Sequence, residues 1–330
     1  MDKIAIIGGS GFVGTRLTDI LVKEFCVLNF DKNPSNFYQN LTTIGDVRNL
    51  TDLVGALKDC KIVILLAAEH RDDVRPTQLY YDVNVDGMKN VLQAMDLNGI
   101  CRIIFTSSVA VYGLNKDNPS EDFVVDPFNH YGKSKYLAEL ELRNWYKKDT
   151  SNRTVVIVRP TVIFGERNRG NVFNLLKQIS SGLFIMTGSG SNKKSMAYVG
   201  NVTAFIHFCL SNYNRGFEII NYIDKPDFSM NDLVKQVEDS LKLRIPSIHI
   251  PYWLGLIGGG LFDLLSLISG KRFSISRIRI KKFCATTQYD SYKAMNSGFV
   301  PPFSLNEGLD RTLKFEFLEK NKDNYIFHSE

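Results

Sequence analysis

Three evenly spaced glycines near the start of the chain constrain its fold most. Gly8, Gly11 and Gly14 follow an apolar, strand-like run at residues 4–7 and precede a helix-like segment. Glycine permits a tight turn and a close backbone approach, and the N–H groups at the start of a helix can bind a pyrophosphate. A second glycine-rich segment, residues 255–260, has no strand before it, and we interpret it as packing or a loop. The position after a strand therefore predicts a dinucleotide-binding turn at the first three glycines.

Strand-like apolar runs alternate with segments long enough for helices over the first half of the chain. After the first, they lie at residues 26–30, 62–66, 103–105 and 155–158. Such alternation is typical of an α/β fold with a doubly wound parallel sheet. A chain of 330 residues, of which 44% are hydrophobic, can bury a core of this size.

The second predicted strand ends in Asp31, where a carboxylate can accept hydrogen bonds from an adenosine ribose. It would repel a 2'-phosphate, so the sequence favours NAD over NADP. The alternative is that Asp31 only starts a turn with Asn33 and Pro34. Further candidate cofactor contacts follow the next strands at Asp46, Val47, Leu66, Ala67 and Ala68. The two alanines could equally be ordinary core packing.

The alternation loosens after about residue 165 into glycine-rich and basic loops, an apolar segment and a Pro-Pro turn. We predict an NAD-binding domain at residues 1–165. Residues 166–330 are predicted to form mainly a smaller α/β substrate-binding lobe.

Charge and cysteine content exclude several classes of function. The net charge of +5 is too mild and too dispersed for nucleic-acid binding. The five cysteines are scattered without a Cys-x-x-Cys pair, so neither a disulfide framework nor a zinc site is indicated. A reducing cytosol fits this usage, and the N-terminus lacks the pattern of an export signal.

Tyr131 and Lys135 lie one helical turn apart, so both project from the same helix face. A neighbouring ammonium lowers the pKa of a tyrosine and makes it usable as an acid/base. Ser108, at the end of the fifth strand, would hydrogen-bond the reacting hydroxyl. The same spacing recurs at Tyr289 and Lys293, which we interpret as a surface pair. The alternative for Tyr131 is an incidental pair on an amphipathic helix.

Together these motifs resemble the extended short-chain dehydrogenase/reductase family. The resemblance rests on residues 8–14, Ser108 with residues 111–113, Tyr131 with Lys135, residues 159–165 and residues 298–301. Residues 67–73 and 164–171 resemble bacterial O-antigen-cluster 4-epimerases, especially those acting on N-acetylglucosaminyl-diphospho-undecaprenol.

The resemblance implies a Rossmann-type fold, in which segments near 196–224 and 282–290 return to the NAD-binding domain. It also implies a homodimer that forms through helices near 85–98 and 132–146. It implies an isomerase of lipopolysaccharide biosynthesis. Tyr131 would remove the proton of the C4 hydroxyl while hydride passes from C4 to NAD, and the 4-keto sugar would turn before the hydride returns to its opposite face. N-Acetylglucosamine and N-acetylgalactosamine on undecaprenyl diphosphate would interconvert. It adds the following candidate cofactor contacts: Ser10, Phe12, Val13, Asn84, Ser107, Tyr131, Lys135, Pro160 and Val162.

Candidate substrate contacts are His70, Ser108, Val109, Arg167, Arg169, Lys194 and Arg279. Lys194 stands where related epimerases have an arginine. The nearest alternative is the same chemistry on UDP-N-acetylglucosamine. A dehydratase should have Asp-Glu where this chain has Val109-Ala110. A non-catalytic NAD-binding scaffold is a distant alternative, because such proteins often lose the tyrosine or lysine.

An apolar stretch at residues 251–270 is followed by six basic and no acidic residues at 271–282. Asp263 and the four glycines within residues 255–260 argue against a membrane span, whereas a helix lying at the membrane surface fits better. Packing within the substrate lobe is the alternative. With the resemblance, the pattern predicts a cytoplasmic enzyme bound peripherally to the inner face of the cell membrane.

Overall fold

A computed structural model describes residues 1–71, 74–182, 184–270, 276–319 and 325–327, without the side chains of residues 264, 268, 279 and 282. The strands are β1 Lys3–Ile7, β2 Cys26–Asp31, β3 Thr42–Ile44, β4 Ile62–Leu65, β5 Arg102–Thr106, β6 Thr154–Pro160, β7 Val162–Phe164, β8 Met186–Thr187, β9 Lys193–Tyr198, β10 Gly216–Tyr222, β11 Asp224–Ser229 and β12 His249–Ile250.

The helices are α1 Phe12–Leu21, α2 Leu50–Ala56, α3 Gln78–Tyr81, α4 Gly87–Leu97, α5 His130–Lys147, α6 Asn171–Ser180, α7 Val199–Asn212, α8 Met230–Leu241, α9 Tyr252–Ser269, α10 Arg277–Cys284, α11 Tyr292–Met295 and α12 Leu305–Phe317. Short 3₁₀ turns occupy Gln39–Leu41 and Val109–Tyr112, and a π-helical turn occupies Asp82–Asp86.

A seven-stranded sheet forms the centre of the molecule, in the order β3-β2-β1-β4-β5-β6-β10 with every pairing parallel. All five strand-like runs of the sequence lie in it. Successive residues of a strand face opposite sides: Ala5 packs towards α4 and α5, whereas Ile4 packs towards α1 and α7. The predicted Rossmann-type doubly wound fold is confirmed.

The second lobe is built on smaller sheets. One has the order β11-β9-β7, and β8 pairs with β12 in another. Helices α6, α8 and α12 pack on this side around Phe164, Leu176 and Leu309. Residues 199–222, although late in the sequence, contribute α7 and β10 to the large sheet and its cover.

Helices α9 and α10 pack against each other. A Cβ atom at Gly259 would lie only 2.8 Å from the backbone nitrogen of Arg277, so the glycine permits this close approach. The Asp263 carboxylate accepts a hydrogen bond from that nitrogen at 3.1 Å. The acidic residue that argues against a membrane span therefore joins the two helices.

Candidate active site

The glycine turn connects β1 to α1 at the carboxyl edge of the large sheet. Gly8 has φ +92°, and a Cβ atom there would lie 2.5 Å from the Ala67 nitrogen. At Gly14, a Cβ atom would lie 2.4 Å from the Gly8 carbonyl oxygen. Gly11 precedes α1 without a side-chain cap, and Phe12 and Val13 begin the helix. These contacts leave no space for larger residues and form a cradle that fits the pyrophosphate of a dinucleotide.

Asp31 joins the end of β2 to this turn. One carboxylate oxygen accepts a hydrogen bond from the Ser10 nitrogen at 3.0 Å, and the other accepts one from the Asn33 nitrogen at 2.9 Å. Burial raises the pKa of Asp31, although these bonds oppose the rise. The turn with Asn33 considered from the sequence is present, and contact with a ribose stays a prediction.

The other predicted cofactor positions lie along the same sheet edge. Leu66, Ala67 and Ala68 are half-buried after β4, Pro160 ends β6, and Val162 begins β7 with an exposed side chain. Ser107 follows β5, and its hydroxyl is buried without a hydrogen-bond partner among the described residues. A buried hydroxyl without a partner at the carboxyl edge of the sheet fits a site where a bound ligand supplies the missing hydrogen bond.

Beyond β3, Asp46 and Val47 have protein partners. Asp46 forms an ion pair with Arg48 at 2.6 Å, and that hydrogen-bonded guanidinium lowers the pKa of Asp46. Val47 is buried, and its carbonyl accepts a hydrogen bond from Asn90.

Ser108 and Tyr131 are positioned by two packed turns. Ser108 caps the Val109–Tyr112 turn by accepting a hydrogen bond from the Ala110 nitrogen at 3.1 Å. Tyr131 is half-buried in the first turn of α5. A Cβ atom at Gly132 would lie 2.5 Å from the Ala110 carbonyl oxygen, so the two backbones are in direct contact. The structure therefore brings the segments of both residues together.

Lys135, one turn after Tyr131, reaches into the sheet. Its ammonium donates a hydrogen bond to the Thr106 carbonyl at 2.7 Å and lies 4.7 Å from the centre of the Phe105 ring. Burial lowers the pKa of Lys135 to about 7, although the nearby Glu139 carboxylate opposes this shift. A buried cation thus lies at the end of β5, on the same helix as Tyr131.

Asn84 holds the loop after β4 against α5. Its side chain exchanges two hydrogen bonds with the backbone of Glu69, at 2.8 and 2.9 Å. It also donates to the Ser134 hydroxyl at 2.8 Å, which donates to the Tyr131 carbonyl at 2.9 Å. The described contacts therefore assign Asn84 a positioning role, and its predicted contact with the cofactor stays a prediction.

A buried ion pair beneath this site was missed by the sequence analysis. Arg159 on β6 makes two bonds to Glu139 on α5, at 2.9 and 2.5 Å. It also donates to the Tyr112 hydroxyl at 2.8 Å, which donates to Asn221 at 2.7 Å. Glu139 lies one turn after Lys135, and this spacing was the available signal. The pair ties α5 to β6 and to the turn that carries Ser108.

Val109 and His70, like Ser108, lie close to this edge, whereas the Lys194 side chain is turned inward, and substrate contact by any of them stays a prediction. Val109 is buried in the turn after Ser108, and His70 is exposed on the loop after β4. The Lys194 ammonium donates to the Ala285 carbonyl at 2.6 Å, and burial lowers the pKa of Lys194 to about 8. The side chain of Arg279 lies outside the described residues.

Arg167 and Arg169, the predicted diphosphate contacts, have partners within the protein, and their contact with a diphosphate stays a prediction. Arg169 forms an ion pair at 2.8 Å with Glu316. The Arg167 guanidinium lies over the rings of Phe37 and Phe315, at 5.5 and 5.2 Å. Both arginines therefore contact α12, where a buried carboxylate and aromatic rings stabilise their charges.

A family model and full-length relatives match the sequence of this chain. A family model described as "NAD dependent epimerase/dehydratase family" matches residues 4–222. The N-acetyl-alpha-D-glucosaminyl-diphospho-ditrans,octacis-undecaprenol 4-epimerase of Escherichia coli O157:H7 is 59% identical over 329 residues, covering 100% of this chain and 99% of that protein. A UDP-glucose 4-epimerase of Vibrio cholerae is 29% identical, covering 97% and 96% of the two chains.

The fold is also similar to solved structures. The structure of UDP-glucuronic acid 4-epimerase from Bacillus cereus in complex with NAD superposes with a TM-score of 0.74 at 21% identity, covering 95% of this chain and 98% of that chain. At this identity the likeness extends to the fold alone.

We expect Lys135 to make stability depend on pH. Its folded-state pKa of about 7 lies below that of a free lysine, so the unfolded chain binds more protons between about pH 7 and pH 10. The contribution of Lys135 to the free energy of unfolding therefore rises with pH across that window. Replacing Lys135→Met should raise the melting temperature by several degrees at pH 7 and by little at pH 10.

The control is Lys133→Met, which removes an exposed lysine from the same helix. Thermal melts from pH 7 to pH 10 should show the same slope for this variant and the wild type. An unchanged slope in Lys135→Met would contradict the prediction.

Proposed function

The chain belongs to the NAD dependent epimerase/dehydratase family, and from this membership we propose that it is a 4-epimerase of N-acetylhexosamine on undecaprenyl diphosphate. It is an isomerase, its cofactor is NAD, and it interconverts N-acetylglucosamine and N-acetylgalactosamine. The observation that carries this conclusion is the full-length similarity to the Escherichia coli enzyme. We further propose a place in O-antigen synthesis.

A bound NAD would supply the acceptor and donor for the hydride of the sugar C4, so no second substrate would be consumed. The glycine turn would hold its pyrophosphate, and Asp31 its adenosine ribose. We assign proton transfer to Tyr131, whose phenolic oxygen takes the proton of the C4 hydroxyl and later gives it back. Ser108 would hydrogen-bond that hydroxyl and fix its orientation.

Lys135 supplies the charge that this proton transfer needs. An ammonium on the same helix face stabilises the phenolate of Tyr131, and a phenolate in turn favours the ammonium. The hydrogen bond to the Thr106 carbonyl holds the ammonium in place at the sheet edge. Because the lysine is buried, solvent screens the interaction little.

We expect purified enzyme, without added cofactor, to convert N-acetylglucosaminyl-diphospho-undecaprenol. Parallel incubations with the lipid-linked sugar and with UDP-N-acetylglucosamine, followed by mild acid release and sugar analysis, measure the preference. Conversion of the UDP-sugar alone would contradict the carrier assignment.

In the same assay, Tyr131→Phe should lower kcat by about 10²- to 10⁴-fold, because it removes the acid/base hydroxyl. Tyr146→Phe removes a hydroxyl from the far end of the same helix and should leave kcat unchanged. If Tyr131→Phe were as active as the wild type, the protein would have to use another acid/base.

We propose that α9 and α10 bind the membrane surface. Trp253, Ile257, Leu261 and Leu265 are spaced by four residues and are 60, 55, 58 and 49% exposed, so they form one apolar stripe on α9. Helix α10 packs against the Gly255 and Gly259 side of α9 and carries the exposed Arg277 and Lys281, whose charges would favour anionic headgroups. Residues 271–275 and the side chain of Arg279 lie outside the described residues. Within the described chain, every helix is too short or too polar to span a membrane.

We expect the protein to sediment with vesicles of phosphatidylethanolamine and phosphatidylglycerol, less so at high salt. Leu261→Glu should weaken binding at least about tenfold, because it puts a charge in the apolar stripe. Val300→Glu makes the same kind of change at another exposed position and should bind like the wild type. Equal binding by both variants would contradict docking through α9.

We also propose a homodimer through α4 and α5. Tyr136, Leu137 and Leu140 are only half-buried along α5, and Leu97 on α4 is 65% exposed. An apolar helix surface of this kind is typical of a subunit interface. Sedimentation should give a dimer mass for the wild type and a monomer mass for Leu137→Asp. A wild-type monomer at micromolar concentration would contradict the proposal.

A further inference from the structure

Tyr325 and Phe327, close to the C-terminus, return to the NAD-binding half of the chain. The Phe327 nitrogen donates to the Arg167 carbonyl at 2.8 Å, and its carbonyl accepts from the Arg169 nitrogen at 2.9 Å. The Phe327 side chain is only 6% exposed. Phe327 is therefore fixed by backbone pairing and by burial of its ring.

Phe327 contacts the glycine turn through Phe12. The two ring centres are 5.7 Å apart at an angle of 53°, and both rings are buried. A Cβ atom at Gly165 would lie 3.1 Å from the tip of the Phe12 ring, so Phe12 is enclosed from that side as well. Because Phe12 begins α1, its ring anchors the backbone of the predicted pyrophosphate cradle.

Tyr325 contacts the second cofactor-binding segment through Phe37. The rings meet edge to face at 5.3 Å, and Phe327 lies 6.4 Å from the same Phe37 ring. Phe37 belongs to the loop that follows Asp31, and the Ser10 hydroxyl ties this loop to the glycine turn by donating to the Asn33 carbonyl at 2.9 Å. The C-terminal residues thus contact both segments that hold the adenosine half of the dinucleotide.

We propose that Tyr325 and Phe327 are positioning residues that slow the release of NAD. Separation of the glycine turn from the loop after Asp31 would open the predicted adenosine site, and the aromatic contacts with both segments oppose that separation. An enzyme that regenerates its NAD in every turnover benefits from retaining it. The inference rests on the use of NAD and is independent of which sugar carrier the enzyme accepts.

The test measures NAD release from the purified holoenzyme without any sugar. Enzyme loaded with labelled NAD is mixed with excess unlabelled NAD, and the label that remains bound is followed with time. Phe327→Ala should release NAD about tenfold faster than the wild type, because one buried aromatic contact is lost. Phe327→Tyr keeps the ring and should restore slow release.

The matched control is Phe173→Ala, which removes a ring stacked on Phe317 instead. It should leave the release rate unchanged. Tyr325→Ala, on a less buried residue, tests the same idea if Phe327→Ala fails to fold, and it should also speed release.

A fall in melting temperature with unchanged release in both variants would overturn the proposal, since the C-terminal residues would then only stabilise the fold. Unchanged release with unchanged melting would overturn it equally. Failure of the epimerase assignment would appear in the sugar assay, whereas this measurement would be unaffected.

Discussion

Parallel pairing of all seven central strands is the constraint on which the rest of the structure depends. Parallel strands need long crossovers, and these crossovers cover both faces of the sheet with helices. Every strand then ends at the same edge, so residues distant in sequence meet there. For this reason, the glycine turn after β1, Asp31 at the end of β2 and Ser108 after β5 all lie at the carboxyl edge of the sheet. Tyr131 joins them because α5 packs against the turn after β5.

Charge at this edge is set by burial. The ammonium of Lys135 is buried away from solvent, where it contacts a carbonyl oxygen and the face of an aromatic ring. The next carboxylate on the helix, Glu139, is engaged by Arg159 through two bonds. Breaking such a buried pair leaves an uncompensated charge, which is far more costly than losing a surface pair. The ion pair therefore fixes α5 while leaving the ammonium of Lys135 available to act on its neighbours.

The second lobe is joined to the first by polar contacts as well as by packing. Glu166 follows β7, and its carboxylate accepts the Tyr198 hydroxyl at 2.9 Å and lies 3.8 Å from Arg16 on α1. The C-terminal residues add aromatic contacts to the same helix. The site thus lies between elements from the start, the middle and the end of the chain.

Local patterns in the sequence were sufficient for five of the seven strands of the central sheet and for the position of the glycine turn. Spacing of glycines after an apolar run, and of Tyr131 and Lys135 on one helix, are short-range properties that the backbone expresses directly. A helix at residues 251–270 was also predicted, from the length and apolar composition of that stretch, and α9 lies there. The preference for NAD and the family resemblance followed from these same segments.

Pairings between distant residues were decided only by the tertiary structure. The sequence offered Arg167 and Arg169 as candidate diphosphate contacts and gave no sign of the carboxylate and the ring on α12 that they contact. Glu139 and Arg159 are separated by twenty residues, and nothing local marks them as partners. The sequence by itself determined which elements form and which chemistry the chain carries. Packing decided which charges are neutralised and which segments close the site, because such contacts depend on three-dimensional proximity that no local spacing encodes.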